Sequence, residues 1–289
     1  MRSITQDRFF DEPRCGLCYH VGVTVQLSFV SATVLGLTQG ITEFLPVSSS
    51  GHVALAALFL DGATLGLEQV VALHVGTLLA TLVLLRHDLG RLLGWISRPT
   101  AKIAWVQQPE GQLALAVLAA CVPTGIIGVL LEPSASQAVA SPAALGACFC
   151  VTATCLWFLR KKAAAHRSIT VSMGLVIGIA QGIAVLPGIS RSGITLACGL
   201  LLGLSALDAF RFSFLIAIPA IVGATLYTML TEHFGQIVWP PLIWGAALAG
   251  GSGYVALLIV KRVLQQQRLW WFSLYLYPLG IALLIWSVY

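Results

Sequence analysis

A carboxylate, a histidine, an arginine and a run of hydroxyls stand in two stretches of this chain that are otherwise strongly apolar. The first stretch carries Gln39, Glu43, Ser48, Ser49, Ser50 and His52; the second carries Ser190, Arg191, Ser192 and Thr195. A charged side chain inside a bilayer-depth segment costs roughly 2.5–3.5 kcal/mol on insertion scales, so such residues face a cavity and a partner. Gln39 and Glu43 are four residues apart and share one face of a helix. Serine-rich loops that lead into a helix start expose backbone N–H groups and the positive end of the helix dipole, which suits a phosphate. Arg191 adds a planar, permanently charged fork that can grip phosphate oxygens in pairs. Glu43 with neighbouring oxygen donors such as Gln39 could hold a single Mg²⁺ or Ca²⁺, with other positions left for phosphate oxygens and water. His52 could activate a serine or protonate a leaving oxygen. The set reads as a phosphate site with a base.

The elements that must position these groups are duplicated. Residues 36–52 read GLTQGITEFLPVSSSGH and residues 178–194 read GIAQGIAVLPGISRSGI. A shift of 142 lays Gln39 on Gln181, Gly40 on Gly182, Ile41 on Ile183, Ser48 on Ser190, Ser50 on Ser192 and Gly51 on Gly193. Each copy is broken by Pro, Gly and serines: Pro46 and Ser48–Gly51 in the first, Pro187, Gly188 and Ser190–Gly193 in the second. Helix-breaking polar loops at matched positions of two halves mark a ligand site between repeats.

Composition sets the solvent. Of 289 residues, 58% are hydrophobic and 9% charged, with a mean hydropathy of +0.91. Soluble domains carry about 25% charge, so the chain is an integral membrane protein. The net charge of +5 is spread between apolar segments and gives no nucleic-acid patch. Six stretches are long enough to cross a hydrocarbon core of about 30 Å: roughly 68–86, 111–131, 140–160, 209–230, 238–260 and 270–288. Two more, near 28–60 and 171–203, hold the duplicated strings, and their arms are too short to span comfortably. Each is expected to be a re-entrant helix hairpin, because irregular backbone at that depth survives only where protein or water surrounds it.

The expected fold is therefore all-α and integral to the membrane, with six full transmembrane helices and two re-entrant helix hairpins. Residues 1–22 form a polar tail, 23–167 a first repeat and 168–289 a second, each a hairpin followed by three spans. Three is odd, so the repeats have inverted topology and their hairpins meet near the midplane. Loop charge orients them: Arg86, Arg91, Arg98 and Lys102, then Arg160, Lys161, Lys162 and Arg167, then Lys261, Arg262 and Arg268 are expected in cytoplasmic loops. The loops near 132–139 and 231–237 carry no Lys or Arg. Cys15 and Cys18 make a lone CxxC without a second pair, and the cysteines inside the spans read as apolar fillers.

At these residues the chain resembles the undecaprenyl-diphosphate phosphatase family of bacteria, also known for bacitracin resistance. QGITEFLPVSSSGH is similar to that family's (E/Q)xxxE segment with its serine and histidine continuation, and PGISRSGIT to its PGxSRSxxT segment. LHVGTLLA at 73–80 extends the likeness, which runs from about residue 28 to the C-terminus. The resemblance implies a multi-pass enzyme of the bacterial inner membrane, reached from the periplasmic side, that removes the terminal phosphate of undecaprenyl diphosphate. It implies a divalent-cation requirement and roles for Glu43, Ser49, His52, Ser190, Arg191 and Thr195. Where the family often has a first Glu, this chain has Gln39, which weakens a carboxylate-ligand role there.

The expected mechanism places Ser49 as nucleophile, with His52 taking its proton and Glu43 orienting or balancing His52. Arg191, the cation and the hydroxyls of Ser48, Ser50, Ser190, Ser192 and Thr195 neutralise the transferring group. Attack by a water held by His52 and Glu43 stays open. The partners expected are a polyprenyl diphosphate and membrane lipids, with no nucleic acid; a homodimer is left open. The rival reading is a transporter or flippase of an anionic prenyl phosphate, which the same repeats would suit and which would release no phosphate. Plainer readings exist for single residues: Glu43 as an ion-pair member, Ser48 or Ser50 as caps, His74 as a packed, hydrogen-bonded histidine, and the tryptophans and tyrosines near 239–244 and 270–289 as interfacial belts.

Overall fold

The computed structural model describes residues 28–58, 67–97, 108–139, 141–161, 166–231 and 237–288. All regular structure among them is helical. In chain order the helices are α1 (Phe29–Phe44), α2 (Ser49–Leu58), α3 (Leu67–Leu84), α4 (Arg86–Ile96), α5 (Pro109–Val139), α6 (Pro142–Trp157), α7 (Val171–Ile183), α8 (Arg191–Leu201), α9 (Ala206–Thr231), α10 (Trp239–Gln265) and α11 (Ser273–Trp286). Short 3₁₀ turns at Phe158–Lys161 and Leu269–Phe272 flank the α6 and α11 ends. Six helical segments are long and apolar enough to cross a membrane: Leu67–Leu84, Pro109–Val139, Pro142–Arg160, Ala206–Thr231, Trp239–Gln265 and Leu269–Trp286. They fall on the six stretches expected from hydropathy. Their outward faces stay apolar, with Leu118, Val129, Leu130, Leu226, Leu230 and Ile285 exposed, which only a lipid surround makes cheap.

Two regions depart from the expected loops. The segment 132–139 is the last part of α5, which runs through Pro123 and Pro133 to Val139; Ser136 Oγ donates to the Glu132 carbonyl and to Glu132 Oε1, so its hydroxyl is satisfied within the helix. Residues 86–96 are not a loop but the amphipathic helix α4. Its Leu89 and Leu92 pack on the main core, Arg86 and Arg91 are exposed, and Asp88 pairs with Arg91 and, at 3.6 Å, with Arg211 of α9. The tail 1–22 and the basic residues Arg98, Lys102 and Lys162 lie outside the described residues.

The duplicated strings fold as two pairs of short helices, α1–α2 and α7–α8. α1 ends because Pro46 follows: Leu45 is pushed to extended backbone (φ −62°, ψ 142°), as a residue before proline must be. The first turn resumes helix after Ser48, a non-glycine residue with φ 72°. The second turns at Gly188, with φ 91°. The outer ends match too: Ser28 accepts from the Ser31 N–H and Thr170 from the Met173 N–H, both as N-caps.

α1 packs lengthwise against α10, and α7 against α5. A Cβ on Gly36 would stand 2.5 Å from the Gly245 carbonyl oxygen, and one on Gly178 2.3 Å from that of Ala120. Glycine at these equivalent positions lets two helix backbones touch, the usual way membrane helices gain packing without a hydrophobic drive. Gly203 is a turn residue with φ 98° after α8. The main core gathers Phe44, Phe149, Leu156, Leu196, Phe214, Leu257 and Leu276 around the tips of the two helix pairs, so both tips rest on a dense, immobile bed.

Candidate active site

Glu43 is the centre of the site. It lies on the last turn of α1, with its side chain 6% exposed. Gln39 Nε2 donates to Glu43 Oε2 at 2.9 Å, from one turn earlier on the same face. Ser49, the first residue of α2, donates its hydroxyl to Oε2 at 2.5 Å. Arg191, the first residue of α8, forms an ion pair with Oε1. His74 of α3 brings Nε2 to 4.0 Å of Oε2. Four elements thus converge on one carboxylate. A buried charge without such partners would cost several kcal/mol, so these contacts are what allow Glu43 to remain at this depth.

The two turns share one scaffold. Ser48 Oγ accepts from the Gly51 N–H (3.5 Å) and lies 3.3 Å from Ser50 Oγ. At the matched positions Ser190 Oγ accepts from the Gly193 N–H (3.1 Å) and lies 3.2 Å from Ser192 Oγ. Ser49 and Arg191 are therefore counterparts under the shift of 142, and they address the two oxygens of the same carboxylate. Glu43 has Val185 as its counterpart, and His52 has Ile194.

Most of the expected phosphate-binding hydroxyls hold the two turns to each other and to the bundle. Ser48 Oγ accepts from the Gly188 N–H across the pair (3.0 Å). Ser190 N–H donates to Thr152 Oγ1, which in turn donates to the Gly188 carbonyl. Ser192 Oγ donates to the Leu45 carbonyl (3.2 Å), again crossing from one turn to the other. Thr195 Oγ1 lies 2.5 Å from Ser213 Oγ on α9. Ser48, Ser190, Ser192 and Thr195 are all buried, whereas Ser49 is half-buried and Ser50 exposed. Arg191 Nη1 is buried and has no acceptor among the described residues. A guanidinium with one edge on Glu43 and another nitrogen unmet presents a positive donor that an anion can satisfy.

His52 sits one turn into α2, but its ring is engaged away from Ser49. Nδ1 donates to the Ser48 carbonyl (2.8 Å), and Nε2 lies 2.8 Å from the Tyr275 hydroxyl of α11. The Tyr275 ring stacks on the imidazole, and Phe149 of α6 meets it edge-on. Tyr275 was assigned to the aromatic belt from sequence; nothing local to it signals a partner 223 residues away. His74 is half what its span suggested: Nδ1 is bonded to the Val70 carbonyl (2.8 Å), but Nε2 faces Glu43 and the side chain is 33% exposed. The duplicate glutamine, Gln181, stays outside the site, donating to Thr124 Oγ1 and the Ile216 carbonyl.

The single divalent cation implied by the sequence would have Glu43 as its one carboxylate ligand. Both oxygens of that carboxylate already accept from Gln39, Ser49 and Arg191, and Gln39 turns its NH₂ toward it. Among the described residues no three His, Cys, Asp or Glu side chains converge. This donor set does not fit a cation caged by the protein alone, since Mg²⁺ and Ca²⁺ demand six or more oxygens.

Residues 32–282 match the family of the bacitracin resistance protein BacA. The chain is 40% identical over 262 residues to an undecaprenyl-diphosphatase of Desulfosudis oleivorans, covering 87% of this chain and 96% of that protein. It is 39% identical over 264 residues to an undecaprenyl-diphosphatase of Rubrobacter xylanophilus, with 88% and 96% covered. A third, from Carboxydothermus hydrogenoformans, is 34% identical over 267 residues, with 88% and 95% covered.

Proposed function

The chain belongs to the bacitracin resistance protein BacA family, and from that premise we propose how its site hydrolyses undecaprenyl diphosphate. The enzyme is an integral membrane phosphatase that yields undecaprenyl phosphate and inorganic phosphate, returning the lipid carrier to peptidoglycan synthesis and thereby conferring bacitracin resistance. One observation carries the reading at this site: Ser49 donates its hydroxyl hydrogen bond to Glu43, while Arg191 on the same carboxylate keeps a buried nitrogen without a partner among the described residues.

Ser49 Oγ attacks the terminal phosphorus as its proton passes to Glu43 Oε2. The bond from that phosphorus to the bridging oxygen breaks, and undecaprenyl phosphate departs with the electron pair. Arg191 bears on the equatorial oxygens through Nη1, supplying charge where phosphoryl transfer needs it. Water then attacks the phosphoserine, phosphate leaves and Ser49 regains its proton. Glu43 replaces His52 as first acceptor in this scheme, because both nitrogens of His52 are bonded elsewhere. A divalent cation would supply neutralisation of diphosphate oxygens, and no step here is assigned to it. A groove of about 280 Å³, lined by Cys155, Phe158, Ile194 and Cys198, opens one turn past Arg191 and suits the prenyl chain.

The two short helix pairs act as re-entrant hairpins of inverted repeats. Their helices of 16, 10, 13 and 11 residues reach about 15–24 Å at about 1.5 Å per residue, short of the bilayer core. Each pair lies against a span of the other half, α1 on α10 and α7 on α5, the exchange expected of interlocked repeats. Arg160 and Arg268 cover Trp157 and Trp271 at one end of the bundle, and this basic, aromatic end supports reading that end as the cytoplasmic face of the bacterial inner membrane. The diphosphate enters from the periplasmic side.

The test is phosphate release from a prenyl diphosphate by the purified protein, with rapid acid quench to trap phosphoserine. Wild type forms the labelled serine ester; Ser49→Ala forms none and loses two or more decades of rate. Full turnover by Ser49→Ala would remove the covalent route, and no phosphate release by wild type would favour a lipid carrier.

A further inference from the structure

We propose that Tyr275 is a positioning residue of the phosphatase reaction, fixing the tautomer and plane of His52; the inference rests on the function given above. The Ser48 carbonyl can only accept, so its 2.8 Å contact places a proton on His52 Nδ1. In the neutral ring Nε2 is then the acceptor, and the Tyr275 hydroxyl at 2.8 Å is its donor. Which imidazole nitrogen carries the lone pair is set by what the other one bonds. Here one end of that decision is made by Ser48, on the same turn, and the other by Tyr275, 223 residues from His52.

The ring is also held in its plane. Tyr275 stacks on it with 5.7 Å between centroids and 26° between planes, and Phe149 meets it edge-on at 5.3 Å. The imidazole is thus clamped between α6 and α11 while its own helix, α2, carries the nucleophile. Arg191 on α8 and His74 on α3 both turn toward Glu43 on α1. Among the bonds and ring contacts of His52 in the described residues, Tyr275 supplies the one titratable partner. In the proposed reaction His52, one turn past Ser49 on α2, serves the second step: it accepts a proton from the water that cleaves the phosphoserine once that water takes the place of the Tyr275 hydroxyl on Nε2. Until then the Tyr275 hydroxyl occupies that nitrogen and fixes the direction of the ring. Tyr275 is half-exposed on the bundle surface, so loss of its hydroxyl leaves the core intact.

The experiment is a double-mutant cycle of Tyr275→Phe and His52→Ala, read as kcat and KM for phosphate release. Tyr275→Phe lowers kcat about tenfold, the equivalent of one well-placed hydrogen bond, with KM within about twofold and an unchanged unfolding midpoint. In the His52→Ala background the same change has almost no effect. ¹⁵N spectra of histidine-labelled protein, with His52 assigned by its absence in His52→Ala, read the bond without turnover: Tyr275→Phe shifts the Nε2 resonance. Unchanged kcat, or losses that multiply independently in the cycle, overturns the proposal while leaving the phosphatase reading intact. An unmoved Nε2 resonance overturns it as well. A wild type that releases no phosphate strikes the functional reading instead, and the ¹⁵N measurement still decides whether Tyr275 holds His52.

Discussion

Replacing Glu43 by Gln keeps the shape of the site and removes its charge. In the wild type the Ser49 hydroxyl lies 2.5 Å from Glu43 Oε2, which in the proposed scheme is the base that receives its proton. An amide in that place cannot take it. General-base assistance is worth about 10²–10⁴-fold, or about 2.7–5.5 kcal/mol of barrier at about 1.36 kcal/mol per decade. The same change unmakes the ion pair with Arg191, whose side chain is 16% exposed. Breaking a buried pair from one side costs up to about 3–5 kcal/mol, but the amide oxygen still accepts from the guanidinium, so the stability loss falls at or below the low end. The two effects separate in the kinetics. Arg191, no longer neutralised, binds phosphate oxygens at least as well, so KM stays level or falls while kcat drops by two or more decades. The assay is initial-rate phosphate release in detergent, with an unfolding midpoint measured on the same preparation. A Glu43→Gln enzyme with kcat within tenfold of wild type would refute the assignment of Glu43 as the acceptor of the serine proton.

Three further outcomes follow from the same geometry. Arg191→Lys retains a charge but not the fork, so one ammonium cannot serve both Glu43 and substrate; KM for the prenyl diphosphate rises more than about tenfold, and an unchanged KM would count against Nη1 as a phosphate donor. Gly188→Ala puts a Cβ 2.7 Å from Cys148 Cβ and 2.8 Å from the Leu145 carbonyl, at φ 91°. It costs about 1–3 kcal/mol in backbone strain alone, and a thermal unfolding scan should show the lowered midpoint. Mg²⁺ should support turnover yet give no saturable heat when titrated calorimetrically into substrate-free protein, because the site offers one carboxylate already engaged; tight binding to the free protein would contradict this.

Hydropathy made the six spans legible, since each is a run of apolar residues whose length alone measures the bilayer. The broken strings were equally legible, because Pro46 and Gly188 dictate local backbone whatever surrounds them. The meeting of Glu43 with Arg191, 148 residues apart, could be anticipated from cost: two opposite charges at membrane depth need each other. Other features had no such local mark. α4 is too short to register as a span, and its charges masked the Leu89 and Leu92 face. Tyr275 looks like any belt aromatic, and only the bundle brings it to His52. The serines are ambiguous in a different way. A hydroxyl near a helix start serves equally as phosphate donor or as cap, and Ser48 and Ser190 both accept an intramolecular N–H while buried.

The duplication explains why the site is asymmetric. The two turns repeat the same serine pattern and bind each other through Ser48 to Gly188 and Ser192 to Leu45, so equivalent positions of the two strings are forced close together. If both copies carried Glu at position 43 and its counterpart, two carboxylates would crowd one buried point, and one would be driven to hold a proton. If both carried Arg at the Ser49 position, two guanidiniums would compete for it. The chain avoids both: Glu43 faces Val185 in the alignment, and Ser49 faces Arg191. One acid is left between a hydroxyl on one oxygen and a guanidinium on the other. Phosphoryl transfer needs just those two unlike neighbours, a hydroxyl to be deprotonated and a positive group to receive the transferring phosphate. Divergence at these two positions of a shared scaffold therefore gives the paired membrane motif one acid with unlike neighbours.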